Sequence, residues 1–221
     1  MSLGKILHLG GVVEELRGVY LVKGIGLTSN IYLIRDKLIV DTGNGEPVNR
    51  IAPVLRKVGK NIKDVEKVVL THSHFDHIGG IREIAYAADP EILAHPSEHL
   101  GVKASAPAGV DLSPIIEGDN VSIDEYNFRI LHTPGHSSGS ICLYENERSL
   151  LISGDTIFPY GGVGRIDLPT GDSDALIDSI KRIAKLKVIH LLPGHEDPVL
   201  ENASTHIAYS LKTAESFREL L

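Results

Sequence analysis

The sequence contains very little cysteine, and this limits the sites that it can form. Cys142 is the only cysteine among 221 residues. No disulfide can therefore form within the chain, and a zinc site built on two or four cysteines is excluded. Cys142 lies in the apolar run of residues 141–144, which favours a core position over a role as a nucleophile. With a single thiol, the cytoplasm is the expected compartment.

Long apolar runs and basic clusters are missing as well. No apolar run approaches the 18 or so residues of a membrane span, so we expect none. The apolar N-terminal stretch is broken by His8 and followed by Glu14 and Glu15, which does not match a signal peptide. The net charge is −7 and no three Lys or Arg are consecutive, so a nucleic-acid partner is not expected. We expect a small-molecule substrate, and neither nucleic acid nor membrane as a partner.

The apolar segments alternate between strand and helix patterns. Strands are predicted at residues 19–23, 31–35, 38–41, 67–70, 92–94, 121–124, 127–131, 140–144, 149–152 and 188–192. Helices are predicted at residues 47–59, 78–88, 172–186 and 202–221. Residues 101–118 and 158–169 are rich in glycine and proline, which predicts two loops. No linker or repeat interrupts the chain, so we expect one domain over residues 1–221.

Four of the predicted strands end next to a side chain that can bind a metal. These side chains are Asp41, His72, Asp155 and His195, each accompanied by a glycine or threonine at the turn. In α/β proteins, sites form where the carboxyl ends of strands open into loops. We therefore expect these polar side chains to converge on one site.

The densest group of candidate ligands is the segment Thr-His-Ser-His-Phe-Asp-His at residues 71–77. It carries four candidate ligands within six residues: His72, His74, Asp76 and His77. Imidazole and carboxylate groups bind zinc where thiolates are absent, and iron and manganese accept the same donors. The segment therefore indicates a metal site.

A metal ion needs further ligands from elsewhere in the chain. The candidates are His136, Asp155 and His195, each next to a glycine in a predicted turn. Taken in order with Asp41 and the residue 72–77 loop, these positions resemble the metallo-β-lactamase superfamily along essentially the whole chain. The resemblance implies an α/β fold, a four-layer αββα sandwich with the active site at one edge of the two sheets.

The resemblance also implies how metal ions are held. The first ion would bind His72, His74 and His136. The second would bind Asp76, His77 and His195. Asp155 would bridge both ions, and Asp41 would support the ligands from behind. The implied cofactors are two divalent ions, with zinc favoured and iron or manganese as alternatives, and the implied catalytic residues are Asp76, Asp155 and Asp41. Two ions about 3.5–4 Å apart can share a hydroxide that attacks a carbonyl.

Within the superfamily, the pattern is most similar to glyoxalase II, through residues 72–77, 133–140 and 154–169. This implies hydrolysis of a small ester, thioester or lactone. Tyr160 and Arg165 are candidate substrate-binding residues, because a tyrosine hydroxyl can donate to an oxyanion and an arginine can approach an anion. Arg165 can instead brace its loop through Asp167. Twenty-six residues follow His195, fewer than the glutathione-binding region of glyoxalase II, so glutathione itself is not expected in the substrate.

Other members of the superfamily differ at diagnostic positions. Di-zinc β-lactamases usually carry cysteine where this chain has Asp155. Flavodiiron proteins replace His74 by glutamate, and acyl-homoserine lactonases have tyrosine in place of Phe158. RNA-cleaving members share the ligands but are disfavoured by the acidic charge. The alternative that stays open is a persulfide dioxygenase, with one iron on His72, His136 and Asp155.

Overall fold

The computed structural model describes residues 5–46 and 50–216, and its contacts divide the chain into two compact units. The first unit is Met1–Ile115 and the second is Ile116–Leu221. The described part of each unit is built on one β-sheet. This division does not test the prediction of a single domain, which stays a prediction.

The sheet of the first unit has seven strands in chain order within the described residues. They are β1 (Ile6–His8), β2 (Val19–Val22), β3 (Ile31–Ile34), β4 (Leu38–Val40), β5 (Lys67–Leu70), β6 (Glu91–Ala94) and β7 (Leu112–Pro114). Strands β1 to β4 pair antiparallel, and β4 to β7 pair parallel. The β3–β4 turn holds Arg35 and Asp36 at φ of 52° and 63°, the left-handed geometry that suits a tight hairpin.

Four helices accompany this sheet in the described residues: α1 (Ile51–Arg56), α2 (Phe75–Ile78), α3 (Ile81–Ala88) and α4 (His99–Ser105). Their apolar residues join those of the strands in one core, in which Val54, Ile84 and Val68 are fully buried. The predicted helix over residues 47–59 is confirmed only as α1, and residues 47–49 lie outside the described part.

The predicted helix over residues 78–88 is confirmed as α3, which begins at Ile81; the separate short helix α2 ends at Ile78, before Gly79 and Gly80. A Cβ atom at Gly80 would lie 2.1 Å from the carbonyl oxygen of Thr42. The chain must pass this close to reach α3, so only glycine fits here.

The predicted loop over residues 101–118 is wrong in part, because α4 extends to Ser105 and β7 covers residues 112–114. Gly101 lies inside α4, and the position requires glycine because a Cβ atom there would be 2.5 Å from Ser73 Oγ. Pro114 is tolerated because β7 is an edge strand of the sheet. Glycine and proline therefore mark close packing and a sheet edge here, not a long loop.

The sheet of the second unit has five strands in the order β12-β11-β10-β9-β8 within the described residues. They are β8 (Asn120–Ile123), β9 (Tyr126–His132), β10 (Ile141–Glu145), β11 (Leu150–Gly154) and β12 (His190–Pro193). Strands β8 to β11 form an antiparallel meander, and β12 joins β11 in parallel. Cys142 in β10 is fully buried, and burial raises the pKa of its thiol to about 11. This confirms a core residue.

Two helices, α5 (Ser173–Ile183) and α6 (Ala203–Ser216), pack on the second sheet. Helix α5 begins where the Asp172 carboxylate accepts a hydrogen bond from the Ala175 N–H, a favourable N-terminal cap. The predicted final helix is confirmed over α6, and its residues 217–221 lie outside the described part. No helix in the described residues is long and apolar enough to cross a membrane.

The strand ends carry candidate ligands in both sheets. Strands β4 and β5 are parallel neighbours, so Asp41 and His72 follow them at the same edge of the first sheet. Strands β11 and β12 are also parallel, so Asp155 and His195 follow them at the same edge of the second. Within each sheet, the strand-end arrangement predicted from the sequence is observed.

Candidate metal centre

The ligand loop of the first unit leads from β5 into α2. His74 has extended backbone geometry, and α2 starts directly after it at Phe75. Two backbone carbonyls of α2 are held from outside: Asp76 accepts from the Ser29 N–H at 3.1 Å, and His77 accepts from the Thr42 N–H at 2.6 Å. The loop is therefore tied to two other segments of its unit.

The imidazole rings of this loop lie close together. The ring centroid of His72 is 4.6 Å from that of His74 and 4.0 Å from that of His77. A carboxylate oxygen of Asp76 lies 3.9 Å from Nε2 of His77. His72 and His77 are buried, whereas His74 and Asp76 are partly exposed. The structure thus brings the four predicted ligands of the first unit into one cluster.

Asp41 lies directly behind this cluster and is 2% exposed. Its carboxylate accepts hydrogen bonds from the Thr71 N–H and the Thr71 hydroxyl, both at 2.8 Å, and from Nδ1 of His77 at 2.8 Å. Its φ is 58°, a left-handed geometry that aspartate tolerates better than most residues. The structure places Asp41 in direct contact with the ring of His77 and with Thr71, the residue before His72.

These contacts fix which nitrogen of each ring carries the proton. Because Asp41 accepts this hydrogen bond, Nδ1 of His77 carries a proton, and Nε2 is the nitrogen that a neutral ring can offer to a metal ion. The Thr71 hydroxyl donates to Asp41, so at 3.1 Å it accepts from Nδ1 of His72. His72 therefore also presents Nε2 as a neutral donor, the form that binds a metal ion.

The second unit contains the other three predicted ligands, grouped around one carboxylate oxygen. Oδ2 of Asp155 lies 3.7 Å from Nε2 of His136 and 3.5 Å from Nε2 of His195. His136 is buried, and Nδ1 of its ring donates to the backbone carbonyl of Arg165 at 2.8 Å. A neutral ring then offers Nε2 to a metal ion. The structure brings these three residues together within their unit.

The distances around Asp155 fit metal ligands better than hydrogen bonds. Hydrogen bonds between nitrogen and oxygen are usually about 2.7–3.2 Å long. Two ligands that are each about 2.0–2.1 Å from a tetrahedral zinc ion lie roughly 3.4 Å apart. The imidazole and carboxylate donors of both units thus fit divalent metal ions.

The two candidate substrate-binding residues lie on the loop after Asp155. Arg165 forms two hydrogen bonds of 2.7 Å with Asp167. These bonds brace the loop, and they lower the pKa of Asp167 to about 2. Tyr160 is 88% exposed and has a φ of 58°, and its N–H donates to Nδ1 of His206 at 2.9 Å. Its side chain is therefore largely exposed to solvent.

The sequence motifs do not reveal two side chains that contact the loops carrying candidate site residues. Glu98 is 4% exposed and accepts hydrogen bonds from the N–H and hydroxyl of Ser73. Ser210 on α6 is buried, and its hydroxyl lies 2.9 Å from the Gly162 carbonyl. Neither residue belongs to a metal-ligand motif. The one signal for Ser210 is its position on the apolar face of a predicted helix.

Comparison with known proteins agrees with this geometry. Residues 24–195 match the family model described as the metallo-beta-lactamase superfamily. A probable metallo-hydrolase of Methanocaldococcus jannaschii is 40% identical over 192 residues, which cover 79% of this chain and 90% of that protein. The chain belongs to the metallo-beta-lactamase superfamily. The resemblance seen in the sequence motifs is confirmed.

Two further proteins show the extent of the similarity. A hydroxyacylglutathione hydrolase of Haemophilus influenzae is 30% identical over 179 residues, covering 75% of this chain and 78% of that protein. A protein solved in a di-iron-bound form is 27% identical, with a TM-score of 0.67, and the match covers 87% of this chain and 96% of that one. The predicted α/β fold class, with the αββα sandwich of this superfamily, is confirmed.

Proposed function

We propose that this chain is a binuclear metallohydrolase that cleaves a small ester, thioester or lactone. One ion would be held by His72, His74 and His136, and the other by Asp76, His77 and His195. Asp155 would bridge the two. Relatives named metallo-hydrolase and hydroxyacylglutathione hydrolase support the reaction class.

The position of Asp155 carries this proposal. A single oxygen, Oδ2, lies within 3.7 Å of Nε2 of both His136 and His195. In the proposed assignment these two histidines bind different ions. One carboxylate oxygen that faces a ring nitrogen from each of two histidines is the arrangement expected of a bridge between two cations. A mononuclear centre would leave His195 without a function as a ligand.

The residues of the chain have separate tasks in this proposal. When bound, two divalent ions lower the pKa of a shared water towards neutrality and polarise the substrate carbonyl. Asp155 fixes the spacing of the centre and orients the nucleophile, and Asp76 supplies a partly exposed carboxylate to the second position. Asp41 keeps the proton of His77 on Nδ1. Tyr160 is the candidate donor to the substrate carbonyl or oxyanion.

The metal is proposed to be zinc, with iron and manganese as alternatives. Neutral imidazoles and carboxylates bind all three ions, so the donor set alone does not choose among them. A similar protein has been solved with two irons bound, which supports two metal positions on this scaffold and keeps iron as an alternative.

Asp155→Ala tests this function. The variant should lose hydrolysis of small thioester, ester and lactone substrates and retain fewer metal ions per chain, because the bridging oxygen is removed. Asp178→Ala, on the exposed face of α5, is the matched control and should resemble the wild-type protein. Hydrolysis assays and elemental analysis provide the readouts. Full activity in Asp155→Ala, or oxygen consumption with a persulfide and one iron per wild-type chain, would refute the proposal.

A further inference from the structure

A second buried carboxylate, Glu98, lies against the ligand loop of the first unit. It ends the short 3-10 turn Pro96–Glu98 between β6 and α4, and it is 4% exposed. Burial of a carboxylate is costly unless hydrogen bonds compensate for lost hydration. A glutamate at this buried position therefore requires hydrogen-bond donors close to its carboxylate.

Glu98 binds the residue between two predicted metal ligands. Oε2 accepts a hydrogen bond of 2.9 Å from the Ser73 N–H, and the Ser73 hydroxyl donates to the same oxygen. Ser73 lies between His72 and His74 in the sequence. Because both donors of Ser73 point to one carboxylate, the backbone that carries the two imidazoles is held in one orientation.

Helix α4 restrains Ser73 further. A Cβ atom at Gly101 would lie 2.5 Å from Oγ and 2.7 Å from Cβ of Ser73, so the helix backbone packs directly on this side chain. The turn that carries Glu98 is itself braced: His95 accepts from the Ser97 N–H at 3.3 Å, and the His99 ring donates to the Ala94 carbonyl at 3.0 Å. Ser73 is thus in contact with both Glu98 and the backbone of helix α4.

The two buried carboxylates of this unit act on different parts of the loop. Asp41 contacts the ring of His77 and, through Thr71, that of His72. Glu98 accepts from the backbone N–H and the hydroxyl of Ser73, which lies between His72 and His74. In the proposed assignment, those two histidines bind the same ion.

We propose that Glu98 is a positioning residue for the metal ion bound by His72 and His74. It fixes the orientation of this ligand pair, and its carboxylate favours a cation in front of the loop. It therefore sets the affinity of one of the two metal positions and leaves the other unchanged. This inference rests on the proposed binuclear centre.

Glu98→Gln tests this role, because it keeps the shape of the side chain and removes the carboxylate. The variant should bind one of two zinc ions about tenfold or more weakly, the range expected when a group behind a ligand is changed. The affinity for the other zinc should match wild type. Glu91→Gln, at the exposed start of β6, is the control and should bind both ions as wild type does. Stepwise zinc affinities are measured by competition with a chelator.

Urea unfolding of the metal-free proteins separates positioning from simple stability. Equal zinc affinities in Glu98→Gln and wild type, or equal loss at both positions together with a less stable apoprotein, would overturn the role of Glu98. If Glu98→Gln does not fold, Ser73→Ala removes only the hydroxyl donor and should weaken the same single position to a smaller extent; unchanged affinity would contradict the inference. A wild-type protein that binds fewer than two zinc ions would instead refute the proposed binuclear function.

Discussion

At the scale of single residues, three of the candidate histidine ligands are each held by a hydrogen bond at the far side of the ring. His77 donates to Asp41, His72 to Thr71, and His136 to the carbonyl of Arg165. The sequence predicts the ligands and Asp41, because they stand in recognisable motifs. It does not predict Thr71 or the Arg165 carbonyl, since threonines and backbone carbonyls have no distinctive pattern.

Asp41→Asn tests this support directly. Asparagine also tolerates a positive φ, so the change removes the charge and one acceptor without straining the backbone. We expect about 10–100-fold weaker metal binding, because the Nδ1 proton of His77 loses its carboxylate partner. Asp89→Asn, at an exposed position with a φ of 51°, is the control. Equal metal affinity of the two variants would contradict this role of Asp41.

At the scale of elements, the strands were predicted better than the loops. The ten predicted strands and α5 have clear apolar periodicity, and their predicted bounds differ from the structure by a few residues; the short edge strands β1 and β7 are not predicted. The loop prediction for residues 101–118 is wrong in part because it rests on glycine and proline. Gly101 allows close packing of a helix on Ser73, and Pro114 lies in an edge strand. The contact between Gly101 and Ser73 joins residues far apart in the sequence, so local patterns do not reveal it.

Helix α6 holds the loop that follows Asp155. The Ser210 hydroxyl lies 3.2 Å from the Phe158 carbonyl and 2.9 Å from that of Gly162. The ring of Phe158 in turn lies 6.1 Å from that of His195. The loop with Tyr160 therefore depends on a helix outside the ligand motifs.

Ser210→Ala tests this contact. Loss of the buried hydroxyl should destabilise the protein by about 1–3 kcal/mol, because the partly buried loop carbonyls lose the single proton that Ser210 donates to them. Ser216→Ala, at an exposed position on the same helix, should change the free energy of unfolding by less than about 0.5 kcal/mol. Urea denaturation measures both values. An equal effect of the two substitutions would show that Ser210 does not hold the loop.

At the scale of the whole molecule, the fold class and family follow from a few motifs in register. The order of Asp41, the residue 72–77 loop, His136, Asp155 and His195 was sufficient to predict the superfamily, which the family match confirms. The substrate cannot be predicted from these motifs. It depends on the shape of loops such as residues 158–169, whose only regular element in the structure is the 3-10 turn Pro159–Gly161.

The proposed two-metal centre bridged by Asp155 can be observed by anomalous diffraction from crystals of the zinc-loaded protein, measured at the zinc absorption edge. Two peaks about 3.5–4 Å apart are expected, with an oxygen of Asp155 between them. A single peak, or two peaks without a shared Asp155 ligand, would refute the bridged centre.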